Sequence, residues 1–177
     1  MAKNILAFYS KKATDSEGRT LEEIRLWDDD QLEQVHNYIQ WLFPLPEPSA
    51  FNPLAPVLSK GQIAAFRADR LLRMELLASF DMMLRFYGFQ RDQEQITCAD
   101  KWPSQSERWL TPNNHNFLRI SRILRSLSLL GLQVYAKAFF DTLSGLYSSQ
   151  YADIIGKTTY HYWRTAADSN PPGDPAR

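Results

Sequence analysis

The 177-residue chain carries twenty basic and twenty acidic side chains, so its net charge is zero. Neutrality argues against a dedicated nucleic-acid or membrane-surface binder, and the length fits one domain, for which about 100–200 residues is usual. Aromatic residues make up 13% of the chain, which predicts a core or a groove built from large flat side chains.

Cys98 is the only cysteine, so no intrachain disulfide forms and a reducing, cytoplasmic compartment is the natural expectation. The opening MAKNILAFYSKK lacks the charged–apolar–small order of a signal peptide. No apolar run reaches the roughly 18–20 residues of a membrane helix. The richest stretch, residues 38–58, is broken by Pro44, Pro46, Pro48, Pro53 and Pro56. The expectation is a soluble protein without a membrane span.

In chain order, Thr20-Leu-Glu-Glu23 reads as a capping box that opens a short helix. Asp28–Asp30 offer a second N-cap, and the following helix is predicted to run to about Phe43, where Pro44 removes an amide donor. Residues 44–58 read as a proline-rich loop. Ser59-Lys-Gly-Gln62 is a further capping box, predicting one long helix over 60–87, apolar nearly all round in its second half and closed by Gly88. Residues 90–110 are polar and read as a loop. Thr111-Pro112 starts a helix that ends near Leu130, before Gly131. Further helices are predicted over 134–147 and 159–167. The fold class is therefore all-α: a single compact multi-helix domain, residues 1–167, with a central buried long helix and a proline-rich loop. A disordered tail, 168–177, follows.

On a helical wheel of about 100° per residue, Leu32, Val35, Ile39, Leu42 and Phe43 share one face. His36 falls inside that arc, Gln40 lies at its edge, and Trp41 points the opposite way, where the proline loop is expected to cover it. His36 is a candidate ligand-binding or catalytic group; the alternative is a core histidine bonded through one ring nitrogen. On the helix from 112, Asn116 projects toward the apolar face and needs partners there, because an unpaired buried amide costs about 1–3 kcal/mol. Arg119, Arg122 and Arg125 fan across the other side, either as an anion holder or as a solvated stripe paired with acids. His36, His115 and His161 are too scattered for a metal site, and no phosphate loop or nucleophile elbow is present. No metal and no cofactor are expected.

Several blocks resemble the conserved region of opioid growth factor receptors. They are Trp27 with its aspartates, His36-Asn-Tyr-Ile-Gln-Trp-Leu-Phe-Pro-Leu45 with Glu47-Pro48, MMLRFYG over 82–88, and NNHNFLRISRILRSLSLLGL over 113–132. Phe8-Tyr9 and residues 160–163 are also similar, so the resemblance covers about Asn4 to Ala166. It implies kinship with receptors for Met-enkephalin that are associated with the nucleus and restrain proliferation. They are unrelated to seven-helix receptors and carry long C-terminal extensions, so this chain is expected to be a short, stand-alone member. The resemblance supplies no catalytic residues.

Together these readings predict a non-catalytic module for a peptide or small-molecule ligand, with a groove where residues 36–46 meet the helix over 112–130. Its ligand contacts are expected to be His36, Gln40, Trp41, Asn116, Arg119 and Arg122. Two alternatives stay open: an enzyme using His36 with an arginine anion site, and nucleic-acid or anion binding through Arg119, Arg122 and Arg125.

Overall fold

The computed structural model describes residues 4–170, so the expected tail lies largely outside the described residues. Among these residues ten helices and one two-stranded hairpin form, and the chain is mostly helical rather than purely so. It divides into two compact units, Met1–Ser79 and Phe80–Arg177.

The first unit begins with α1 (Ile5–Tyr9), capped by Asn4, whose side chain accepts the Ala7 amide at 3.1 Å. Both capping boxes legible in the sequence form, and the N-cap expected at Asp28–Asp30 is Asp28, itself in a box with Gln31. Thr20 opens α2 (Leu21–Arg25), and Asp28 opens α3 (Asp29–Gln34). Ser59 opens α5 (Lys60–Ala68), its hydroxyl accepting the Gln62 amide at 3.2 Å.

The helix expected from Asp28 to Phe43 is instead two pieces, α3 and α4 (Ile39–Leu42). Val35 leaves the helix with an extended backbone, φ −86° and ψ 131°. In an unbroken helix the Leu32 carbonyl would take the His36 amide. Here it accepts the buried Tyr38 hydroxyl at 3.1 Å. Asn37, within the break, accepts the Arg19 guanidinium at 3.0 Å. The Tyr38 hydroxyl thus takes over a carbonyl that the break leaves open, and the Arg19 bond ties the broken segment to the loop before α2.

The long helix expected over 60–87 also divides, at Asp69, into α5 and α6 (Arg70–Tyr87). Asp69 has an extended backbone, and its carboxylate accepts the Leu71 amide at 2.7 Å, capping α6. Arg73 donates to the carbonyls of Phe66 and Arg67, which close α5. Residues 44–58 contain no helix, and they close on themselves through a Leu58 amide bond to the Leu45 carbonyl at 3.0 Å.

The first unit also holds a charge cluster. Lys11 contacts Glu22 and Glu75, each at 3.0 Å, while Arg25 bonds the Glu75 carboxylate and the Ser79 hydroxyl. Burial is the largest single influence on the Glu75 carboxyl and pushes its pKa up, yet the bonds from Arg25 and Lys11 together hold it below its ordinary 4.5. A carboxyl depressed on folding contributes stability above its unfolded pKa, and that contribution is lost as pH falls through the lower folded value. Glu75→Gln is therefore expected to destabilise the protein at pH 7 and to match the wild type in acid. Urea unfolding of both proteins between pH 3 and 7 checks this; a gap that stays constant with pH contradicts it.

In the second unit, the loop expected over 90–110 is a hairpin followed by a helix. Strand β1 (Phe89–Asp92) pairs antiparallel with β2 (Gln95–Cys98), with Phe89 opposite Cys98 and Asp92 opposite Gln95. Gln93, in the connecting turn, takes the left-handed conformation at φ 51°. Cys98 is exposed, and partial burial raises its thiol pKa. Helix α7 (Trp102–Trp109) carries Pro103 in its first turn, where a missing N–H costs nothing.

Helix α8 (Asn116–Leu129) starts four residues after Pro112, because Asn113 turns the chain with φ 59°. Helices α9 (Gln133–Tyr147) and α10 (Ala152–Ala167) complete the unit, and α8, α9 and α10 pack on one another. The Trp163 indole donates to the Phe117 carbonyl at 3.0 Å, and the Ser128 hydroxyl to the Ala167 carbonyl at 2.8 Å. Gly156, at φ 74° and ψ 154°, interrupts α10. The part beyond it resembles the helix read from the sequence over 159–167.

Candidate functional site

The six sequence-derived candidates fall three in each unit. In the first, the break after α3 removes His36 from the apolar face on which the wheel placed it. It stands exposed, outside any helix.

Gln40 and Trp41 lie on α4, a single turn whose N-terminus has no side-chain cap. Tyr9 fixes the other end by donating its hydroxyl to the Leu42 carbonyl. Burial pushes the Tyr9 phenol far above its usual pKa, so it stays a donor throughout the working pH range. Trp41 is 2% exposed and meets the edge of Phe8 at 5.3 Å, a partner contributed by α1. Gln40 is 6% exposed.

Among the described residues, Gln40 Oε1 and Trp41 Nε1 are buried side-chain atoms that have no hydrogen-bond partner. A buried donor or acceptor left unmatched costs about 1–3 kcal/mol, so most native ones are paired. Here one acceptor and one donor stand unmatched on neighbouring residues.

The second unit gathers polar groups at the start of α8. Asn114 bridges the turn: its amide nitrogen donates to the Arg108 carbonyl at 3.2 Å and to the Thr111 hydroxyl at 2.9 Å. Its oxygen accepts the Asn116 backbone and side-chain N–H groups, at 2.9 and 3.0 Å.

Asn116 is fully buried, as its position on the apolar face predicts. Its side-chain oxygen accepts the Tyr87 hydroxyl at 3.5 Å and Arg119 Nη1 at 3.3 Å. Both distances lie at the long end for hydrogen bonds. Arg119 does not lie on a solvated stripe: it is 5% exposed, while Arg122 and Arg125 are half-buried. A guanidinium cannot shed its charge by deprotonating, so its burial needs matching polar groups.

The sequence reading missed Tyr87 and Asn114. The Asn113-Asn114 pair directly before a helical run was the available signal, since one Asn tolerates the left-handed turn and the next bonds the backbone two residues on. Among the described residues no three His, Cys, Asp or Glu side chains are grouped to hold a metal ion. None of their helices is long and apolar enough to cross a membrane.

A model of the opioid growth factor receptor (OGFr) conserved region matches residues 2–166. The chain belongs to the opioid growth factor receptor family. It is 38% identical over 136 residues to the rat opioid growth factor receptor, covering 73% of this chain and 23% of that protein. The human receptor is 37% identical over 111 residues, covering 60% of this chain and 16% of the receptor. The mouse opioid growth factor receptor-like protein 1 is 35% identical over 136 residues, with 73% of this chain and 29% of its own length covered. The chain thus spans under a quarter of the receptors it matches first. No solved structure matches. In this family member the string from His36 to Leu45 spells a helix break, one helical turn and a proline stop.

Proposed function

We propose that this member of the opioid growth factor receptor family is a non-catalytic peptide-binding module, with residues 1–167 acting as one functional region. The observation that carries the reading is the pair of unmatched buried atoms, Gln40 Oε1 and Trp41 Nε1. A peptide backbone offers both N–H and C=O groups, the two complements these atoms lack, and because both atoms are buried, binding in this reading uncovers α4. The relatives' name, opioid growth factor receptor, supports a peptide as the ligand class. His36, exposed three residues before α4, is the third proposed contact in the first unit. In the second unit, Asn116, Arg119 and Arg122 are proposed to hold an acidic group of a ligand, because guanidinium forks match carboxylates. A single thiol fits a reducing, cytoplasmic setting.

Calorimetric titration with Met-enkephalin tests the reading. Gln40→Met removes the unmatched oxygen at similar volume, so folding stability is expected to stay level or rise by about 1 kcal/mol. Trp41→Phe removes the indole N–H and keeps an aromatic ring. Each variant is expected to bind the peptide at least about tenfold more weakly, equivalent to about 1.4 kcal/mol. Folded variants with wild-type affinity would remove α4 from the site; a wild-type chain that ignores the peptide would remove peptide binding itself.

A further inference from the structure

The second unit contains a cleft that includes none of the six candidate residues, with a volume of about 390 Å³, lined by Trp102, Pro103, Ser106, Glu107, Leu110 and Tyr151. Its walls are one side of α7 with the C-cap Leu110, and Tyr151, the residue that precedes α10. The rings of Trp102 and Tyr151 stand at 80° with centroids 6.4 Å apart, forming a corner. Trp102 is backed by Phe89 at 4.9 Å and by Trp109 at 6.1 Å, which fixes its plane. Ser106 spends its hydroxyl on the Pro103 carbonyl at 3.1 Å. Glu107 is exposed and is the one charged residue in the lining.

Aromatic faces carry negative potential, and an adjacent carboxylate adds to it. The cleft therefore repels anions and attracts cations. A primary ammonium needs acceptors for three N–H groups, whereas Glu107 is the only carboxylate present. A fully methylated ammonium has no N–H to satisfy, and its methyl groups suit flat aromatic walls. Pro103 and Leu110 supply apolar surface for an alkyl stem.

We infer that the Trp102–Tyr151 cleft is a binding site for the trimethylammonium group of a trimethylated lysine side chain. The site is separate from the peptide contacts proposed at α4, and neither assignment depends on the other.

The test is an NMR titration of the full chain, following Trp102 and Tyr151, with N-acetyl-trimethyllysine amide. Parallel titrations use its neutral tert-butyl isostere, unmodified lysine amide and choline. Saturable binding of trimethyllysine is expected, with the isostere about tenfold weaker or worse, in line with cation–π and charge contributions. Glu107→Gln leaves an exposed position exposed, so melting is expected to be unchanged while affinity falls about three- to tenfold. Tyr151→Leu removes one wall and is expected to abolish saturation at an unchanged melting temperature, and Glu107→Gln carries the test if Tyr151→Leu does not fold. Equal binding of the isostere, unchanged affinity in Glu107→Gln, a response to choline alone, or no saturable response would each overturn the assignment.

Discussion

Gly88→Ala is expected to lower stability by about 2–5 kcal/mol, combining the backbone strain of a non-glycine residue with overpacking. Gly88 closes α6 with φ 87°, a conformation that side chains with a Cβ rarely adopt. The added methyl would stand 2.9 Å from Gln105 Cβ and 3.0 Å from Trp102 Cα. The second contact is backbone, so a rotamer change cannot relieve it. The Gly88 carbonyl also accepts the Ala99 amide at 2.9 Å, which ties the hairpin exit to this point. Gly61, inside α5, serves as the control, since its methyl would meet nothing closer than the Ser59 hydroxyl at 3.9 Å. Gly61→Ala is expected to stabilise by about 0.5–1 kcal/mol through helix propensity. Urea unfolding followed by tryptophan fluorescence measures both. Similar midpoints for the two variants would refute the close-approach account.

The second large effect is expected at Trp109, which is fully buried among aromatic rings. Its centroid lies 5.3 Å from Tyr87, 6.1 Å from Phe89 and from Trp102, and 6.4 Å from Phe117. Its indole donates to the Tyr87 carbonyl at 3.0 Å. Trp109→Ala is expected to cost about 3–5 kcal/mol for the cavity, and about 1–3 more for the lost indole hydrogen bond. Trp109→Phe keeps a ring and separates the two effects, with an expected loss of about 1–3 kcal/mol. Near-ultraviolet circular dichroism would report the lost aromatic coupling, and calorimetry the stability. An alanine variant as stable as the phenylalanine variant would mean that the site collapses without a cavity.

Elements encoded by neighbouring residues were legible in the sequence. Thr20–Glu23 and Ser59–Gln62, read as capping boxes, and Asp28, read within an N-cap run, are local bargains between side chain and backbone, and each opens a helix. The breaks at Val35 and Asp69 were not legible as breaks. Periodicity carries through both, and the bonds that secure the breaks come from Tyr38, Arg19 and Arg73, residues whose reach depends on the fold. The hairpin escaped because its turn, Gln93-Glu94, lacks the Asn-Gly or Asp-Gly signal that marks such connections.

The candidate site shows the same division. Asn116 was expected to be buried with partners, because one wheel position decides it. Arg119 was placed on the side away from the apolar face, as an anion holder or part of a solvated stripe, and is buried, since burial of a long side chain depends on what lies over it. His36 moved from an apolar face to solvent when its helix broke.

The exposed thiol at the end of β2 has a practical consequence for anyone who wishes to watch this molecule. With no second cysteine in the sequence, a maleimide fluorophore can attach at one defined atom. Cys98 stands four residues before Trp102, one wall of the aromatic corner, so a probe there would share its neighbourhood with a natural fluorophore. Partial burial keeps the sulfur protonated to higher pH than usual, and the coupling will run fastest under mildly alkaline conditions.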